Sequence, residues 1–204
     1  MGQDLKAQVS SAETGLEAEL EPKPEWHPRY PGSARLQDRV AVISGADSGI
    51  GRAVAALFAR EGADIAILYV SRDEDTDARE TARFIRAEGR RALCIPGDIG
   101  DMAFCRTAVE RVLDEFGRID ILVNNAGEQH PAKDIEDISE QQFARTFETN
   151  VFGLFHLTKA VRPHLRGGAS VINTTSVTSF RGAKELLDYS STKGAITSFT
   201  RALA

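Results

Sequence analysis

From Arg39 onward, short runs rich in β-branched residues alternate with longer amphipathic runs, and this alternation limits the possible folds more than any other feature. Strands are expected over 39–44 (RVAVIS), 64–70 (DIAILYV), 91–95 (RALCI), 119–124 (IDILVN) and 170–174 (SVINT). Helices are expected over 50–61, 76–88, 101–116 and 139–165, with a last one starting near Tyr189. Strict alternation requires crossover connections, which are right-handed and give a parallel sheet covered on both faces. The expected class is therefore α/β, a Rossmann-like doubly wound parallel sheet in three α/β/α layers. Such sheets bind ligands beyond the carboxyl ends of the strands, where the strand order reverses. The loops after strands one, four and five are the places to look for chemistry.

Composition narrows the function. At 204 residues, with 42% hydrophobic and 27% charged residues, the chain can bury a sizeable core. With 25 basic and 30 acidic residues its charge is −5, which supplies no basic footprint for a nucleic acid partner. Its apolar runs are strand-sized, well short of the roughly 18 to 20 residues that cross a bilayer, and the first residues do not read as a leader. No membrane association and a cytoplasmic location are expected. Gly2 follows Met1, but Lys6 stands where a myristoylation signal has Ser or Thr. Cys94 and Cys105 have no metal-ligand spacing and read as ordinary thiols, and none of His27, His130, His156 and His164 is spaced to form a metal site.

Residues 1–35 differ from the rest. Pro22, Pro24, Pro28 and Pro31 crowd a stretch without apolar periodicity, which reads as an extended arm preceding a nucleotide-binding domain over 36–204. Two readings of the arm stay open: a disordered tail, or a strap whose Trp26, Tyr30 and prolines lie along a neighbouring surface or subunit.

The loop after strand one runs Ser44-Gly45-Ala46-Asp47-Ser48-Gly49-Ile50-Gly51-Arg52 and opens directly into a helix. Glycines there permit a tight turn and close backbone approach to a pyrophosphate, and the helix start attracts its charge. A glycine triplet alone is weak evidence, but its place between strand and helix is the context that a dinucleotide loop needs.

The spacing Gly-x3-Gly-x-Gly resembles that of the short-chain dehydrogenases/reductases, and further matches occur in the right order. Asn124-Asn125-Ala126-Gly127 follows strand four; Ser176 follows strand five, thirteen residues before Tyr189; and Tyr189-Ser190-Ser191-Thr192-Lys193 supplies a Tyr-x3-Lys pair. The resemblance spans 36–204. The Pro-rich arm, the glycine loop and Glu128-Gln129-His130-Pro131 look more narrowly like a bacterial subgroup related to glucose and ribitol dehydrogenases and aldehyde reductases. It implies an oxidoreductase moving a hydride between NAD(P)(H) and an alcohol or carbonyl. Catalytic roles then fall to Asn150, Ser176, Tyr189 and Lys193. Cofactor contacts fall to Gly45, Asp47, Ser48, Gly49, Ile50, Gly51, Asp98, Ile99, Asn125, Ala126, Gly127, Tyr189 and Lys193, and the substrate side to Gln129, Ser176, Thr178 and Tyr189.

Physical chemistry supports the pair independently. Tyr189 and Lys193, four apart at a helix start, project from one face. A free tyrosine titrates near pH 10, and each unit of lowering needs about 1.4 kcal/mol of preference for the phenolate. An adjacent ammonium and an oxidised nicotinamide ring both supply that preference, making Tyr189 a general acid/base. Ser176 would hydrogen-bond the substrate oxygen where charge develops. In the family the lysine also holds the nicotinamide ribose hydroxyls. Asn150 lies within an apolar stripe of Phe143, Phe147, Val151, Leu154 and Val161, on a helix opened by a Ser139-x-x-Gln142 capping box. A buried amide there needs partners, either local backbone or, as the family match implies, a water-mediated relay behind Lys193.

NAD-preferring relatives carry an acidic residue at the end of strand two. Tyr69 takes that place, followed by Val70, Ser71 and Arg72, and the last two could receive a 2′-phosphate. Asp73, Glu74 and Asp75 follow at once and argue the other way, but NADP(H) is favoured over NAD(H). Asp98 matches a position that contacts adenine.

Family members usually continue beyond the Tyr-Lys helix with two more strands and a substrate-covering loop. The chain ends at Ala204 without a stop signal, so a fragment lacking those strands is expected. As such it would aggregate or lack turnover, because strand five becomes an open edge. Two function classes follow: an oxidoreductase, a homodimer or homotetramer when full-length, or a catalytically silent nucleotide-binding or assembly module.

Overall fold

A computed structural model describes residues 24–204; Gly2, Lys6 and Pro22 lie outside the described residues. Five strands, β1 (Val40–Ser44), β2 (Asp64–Tyr69), β3 (Ala92–Pro96), β4 (Ile121–Asn124) and β5 (Ser170–Asn173), form one sheet in the order β3-β2-β1-β4-β5. Every pairing is parallel, with Val42 opposite both Ala66 and Leu122. The chain builds outward from β1 to β3, then crosses back to lay β4 on the other side of β1. The order therefore reverses between β1 and β4, and the crevice opens at the ends of those strands.

Each strand divides its side chains between two cores. Val40, Val42, Ala66, Leu68 and Leu122 face α3 (Met102–Phe116) and α5 (Leu154–Val161), meeting Val109, Val112, Leu157 and Val161. Ala41, Ile43, Ile65, Ile67 and Val123 face α1 (Gly49–Arg60) and α2 (Asp75–Ala87), meeting Ala55, Ala59, Ala78 and Ile85. A strand covered on both faces reads as a continuous apolar run, which is why β1 and β2 stood out in the sequence. Helix α3 is bounded by an Asp101 side chain that accepts from the Ala103 amide at 2.7 Å and by left-handed Gly117.

The helix expected over 139–165 is subdivided. It runs as α4 (Glu140–Phe147), a π-helical turn over Glu148–Gly153, α5, and a 3₁₀ turn over Arg162–His164. Only the later part of the expected apolar stripe, Leu154 and Val161, is buried in the core. Thr146, Asn150 and Gly153 are buried in the earlier part, while Phe143 is 40% exposed and Phe147 and Val151 are half-buried one position round. Polar partners on the facing elements claim the inward positions, and the Phe143 and Phe147 rings stack on each other at 4.9 Å instead. Half of the capping box forms: Ser139 Oγ accepts from the Gln142 amide, but the Gln142 side chain donates to the His130 carbonyl and Asp188. The last helix, α7, starts at Leu187 and runs to Leu203, preceded by a single turn, α6 (Thr178–Arg181).

Candidate functional site

The glycine loop lies at the β1–β4 crevice. An added methyl at Gly51 would sit 1.8 Å from the Gly45 carbonyl and 2.8 Å from Asn125 Nδ2, so this position admits only glycine. Beside Gly49 the space is open, and Ile50 is 67% exposed at the rim. Ser48 places no side-chain hydrogen bond on the start of α1, and its first turn holds no acidic residue. A turn that must approach closely, opening onto a helix start without competing negative charge, suits a pyrophosphate. Asp47 is turned inward, 5% exposed, where burial above all pushes its carboxyl up from the ordinary range.

The segment after β4 is tied to the same crevice. The Asn125 and Ala126 amides both donate to Ser44 Oγ at 3.1 Å, and Asn125 Nδ2 donates to the Gly45 carbonyl at 3.2 Å. Asn124 Nδ2 donates to Thr158 Oγ1 and Asn173 Oδ1, both at 2.9 Å, cross-linking α5, β4 and β5. Gly127 is the meeting point: a methyl there would lie 3.1 Å from Asn150 Oδ1 and 3.5 Å from Lys193 Nζ. A side chain there would press on the Asn150 amide, so glycine is the easiest fit between α7 and the π turn.

Tyr189 and Lys193 share one face of α7, with the ammonium 5.3 Å from the ring centroid. Lys193 is 3% exposed, donates to the Thr174 carbonyl at 3.0 Å, and makes no ion pair among the described residues. Burial alone brings its pKa down to about 8. Asn150, 1% exposed, accepts from the Glu128 amide at 2.8 Å and donates to the Glu128 carbonyl and to Thr192 Oγ1, both at 3.0 Å. Thr192 Oγ1 donates in turn to the Tyr189 carbonyl at 2.7 Å, so Asn150 is wired to the Tyr–Lys turn. Ser176 stands at the end of β5 before α6, which packs on α7, and its Oγ accepts from the Thr178 amide at 3.2 Å. Thr178 Oγ1 is buried without a partner among the described residues, while Gln129 is exposed.

Two expected cofactor contacts sit elsewhere than anticipated. Tyr69 is 6% exposed in the core, its hydroxyl donating to Asp75 at 2.7 Å, because alternation along β2 turns it toward α2. Ile99 packs at 7% exposure against Gly153. At the β2 mouth remain exposed Arg72 and half-buried Ser71, whose Oγ accepts from the Asp73 amide. Glu74 folds back to accept from the Val70 amide at 3.1 Å; burial first, and then the charge of Asp47, push its carboxyl up. Asp98 meets Arg145 at 2.9 Å. Burial pushes the Asp98 carboxyl up, but the Arg145 and Gly100 hydrogen bonds outweigh it and hold the group below its usual range.

Three contributors were not singled out from sequence. Asp188, fully buried, accepts from Thr146 Oγ1 at 2.8 Å, Gln142 Nε2 at 3.2 Å and the Tyr189 amide at 2.8 Å, fastening the head of α7 to α4. An aspartate in a helix's first turn was the available signal. Arg145 also lies 3.5 Å from Glu128, which reaches His130 at 3.6 Å, and no spacing in the sequence announces that chain of polar contacts. Thr192, inside the Tyr-x3-Lys segment, was readable only as filler.

The short chain dehydrogenase family signature matches residues 39–204. The oxidoreductase YhdF of Bacillus subtilis is 52% identical over 198 residues, covering 97% of this chain and 68% of the relative. The NADPH-dependent aldehyde reductase 1, chloroplastic, of Arabidopsis thaliana is 44% identical over 202 residues, covering 97% and 70%. Among solved structures, a short chain dehydrogenase from Burkholderia cenocepacia in complex with NADP superposes with a TM-score of 0.78 at 35% identity, covering 83% of this chain and 68% of that one. The sheet order and the crevice at its switch point define a Rossmann-like α/β protein. The chain belongs to the short-chain dehydrogenase family of oxidoreductases.

Proposed function

We propose that the chain carries the cofactor-binding and proton-transfer machinery of an oxidoreductase acting on an alcohol or carbonyl, with Tyr189 as general acid/base. The observation that carries this is the buried Lys193 ammonium, without an ion-pair partner among the described residues, beside the Tyr189 ring. A cation kept in so dry a place is expensive unless it has work to do, and stabilising a neighbouring phenolate is such work. Hydride chemistry is supplied by a nicotinamide cofactor, which Gly45, Ser48, Gly49, Ile50 and Gly51 would hold at the pyrophosphate and Asn125, Ala126, Gly127 and Lys193 along its length. In reduction, Tyr189 gives its hydroxyl proton to the substrate oxygen as negative charge grows there, and the phenolate left behind is held by the ammonium. In oxidation the phenolate takes the alcohol proton. Ser176 donates a hydrogen bond to the same oxygen, while Thr178 and Gln129 border the substrate. A lysine titrating at about 8 exchanges protons near neutrality, and Asn150 anchors the route behind it.

NADP(H) is proposed over NAD(H), supported by Ser71 and exposed Arg72 at the β2 mouth and by the named NADPH dependence of the Arabidopsis relative. A homodimer or homotetramer is proposed, supported by the apolar cleft that Phe152, Phe155 and Phe199 line between α5 and α7. Among the described residues no helix is long and apolar enough to cross a membrane, and both thiols are free, which favours the cytoplasm. Fluorescence titration with NADPH and NADH, followed by panels of aldehydes and polyols, tests the reading with Tyr189→Phe as control. In the chain carried to the length of its relatives, turnover that vanishes in the variant while cofactor binding persists is expected. Cofactor binding without Tyr189-dependent turnover would leave a silent nucleotide-binding module.

A further inference from the structure

Among the described residues, the arm reaches the glycine loop through Trp26. Trp26, the only tryptophan of the chain, is half-buried, stacked on His27 at 4.0 Å and set edge-on to Phe84 of α2 at 5.3 Å. The Arg52 guanidinium lies 5.1 Å from the Trp26 ring centroid. Arg52 is 2% exposed and immediately follows Gly51; its Nε donates to the Asp47 carbonyl at 2.8 Å, in the middle of the glycine loop. Thr81 Oγ1 of α2 donates to the same carbonyl at 3.0 Å. The guanidinium also reaches Asp77 and Glu80, each at 3.3 Å, so α1, α2 and the loop share one cation. The arm is fixed again a few residues further along the chain. Arg60 donates to the Tyr30 carbonyl at 2.8 Å, and Glu61 accepts from the Ser33 and Arg35 amides at 3.0 and 3.1 Å.

We infer that Trp26 is a positioning residue for the cofactor loop: it caps Arg52, and Arg52 holds the Asp47 carbonyl in its binding-ready orientation. The inference rests on the proposed reading that this loop takes a dinucleotide. An arginine open to water spreads its donors over solvent and many rotamers, whereas one beneath an indole face is dehydrated and attracted by the ring quadrupole. A loop already ordered does not have to be ordered again when the ligand arrives, and the free energy saved appears as affinity. Within residues 24–35, the contacts of Trp26, the Tyr30 carbonyl and the Ser33 amide are those of a strap laid on its own domain.

The test uses the whole chain with Trp26→Ala and Trp26→Phe, read by hydrogen exchange of peptides and by NADPH titration. Trp26→Ala is expected to speed exchange over residues 45–52 about tenfold, equivalent to about 1.4 kcal/mol, and to weaken NADPH binding by a similar factor. Exchange over β4 (Ile121–Asn124) stays as in wild type, and Trp26→Phe, which keeps a ring face, restores most of both losses. Loop exchange equal to wild type in Trp26→Ala overturns the inference. A uniform rise over every strand overturns it too, because that marks general loosening. If the unaltered chain binds no NADPH, the functional reading fails, and loop exchange still decides the part of Trp26.

Discussion

Replacing Lys193 with Met should stabilise the cofactor-free protein at neutral pH and lose that advantage in alkali. The ammonium is buried, and its pKa falls from 10.5 to about 8. Above pH 10.5 the amine is neutral in both folded and unfolded chains, and burial costs little. Between 10.5 and 8 the unfolded chain takes up the proton first, so stability declines as pH falls; below 8 both states are charged and the whole penalty is present. A shift of this size corresponds to about 3 kcal/mol. Methionine has a comparable length without the charge, but it abandons the Thr174 carbonyl, which offsets roughly 1 kcal/mol. Urea unfolding of both proteins at pH 7 and at pH 10.5 measures the effect. The advantage of Lys193→Met at pH 7 should exceed that at pH 10.5 by about 3 kcal/mol, since terms independent of protonation cancel in that difference. An equal advantage at both pH values would show that Lys193 is not held at a depressed pKa, and the argument for its tuning of Tyr189 would fall with it.

Other outcomes follow from the same geometry. Gly51→Ala places a methyl 1.8 Å from the Gly45 carbonyl, so the loop must move. A stability loss of about 1 to 3 kcal/mol in thermal melts is expected, together with loss of NADPH binding in a fluorescence titration. Asn150→Ala leaves the Glu128 amide and carbonyl and the Thr192 hydroxyl without their amide partner, which should cost about 2 to 4 kcal/mol in urea unfolding. Arg72→Ala should shift the ratio of NADPH to NADH affinities toward NADH by about tenfold. Glu74→Gln should shift it the opposite way, because it removes a negative charge that stands at the β2 mouth close to Asp47.

How much the sequence discloses depends on whether a residue's partner lies nearby in the chain. β1 and β2 were legible because both faces are buried, leaving uninterrupted apolar runs such as Val40 to Ile43. The Tyr189–Lys193 pair was legible because helical spacing alone puts both on one face. Phe143, Phe147 and Val151 misled for the opposite reason: the inward positions went to Thr146 and Asn150, whose partners Asp188 and Thr192 lie some forty residues further on. The π turn leaves no mark of its own in composition. The inward turn of Tyr69 was not legible because its place at the end of β2 does not reveal which face it takes, and Glu74, named only for its charge, gave no sign of its return to the Val70 amide, which is a loop geometry.

Hydride transfer itself is the most direct test. The chain carried to the length of its relatives is incubated with NADPH deuterated at the transferable position and an aldehyde that it accepts, and the alcohol is examined by mass spectrometry. One deuterium on the product carbon with the unaltered chain, and none with Tyr189→Phe, is the outcome that the account predicts. Deuterium transferred equally well by the variant, or none from a chain that binds NADPH tightly, would contradict it.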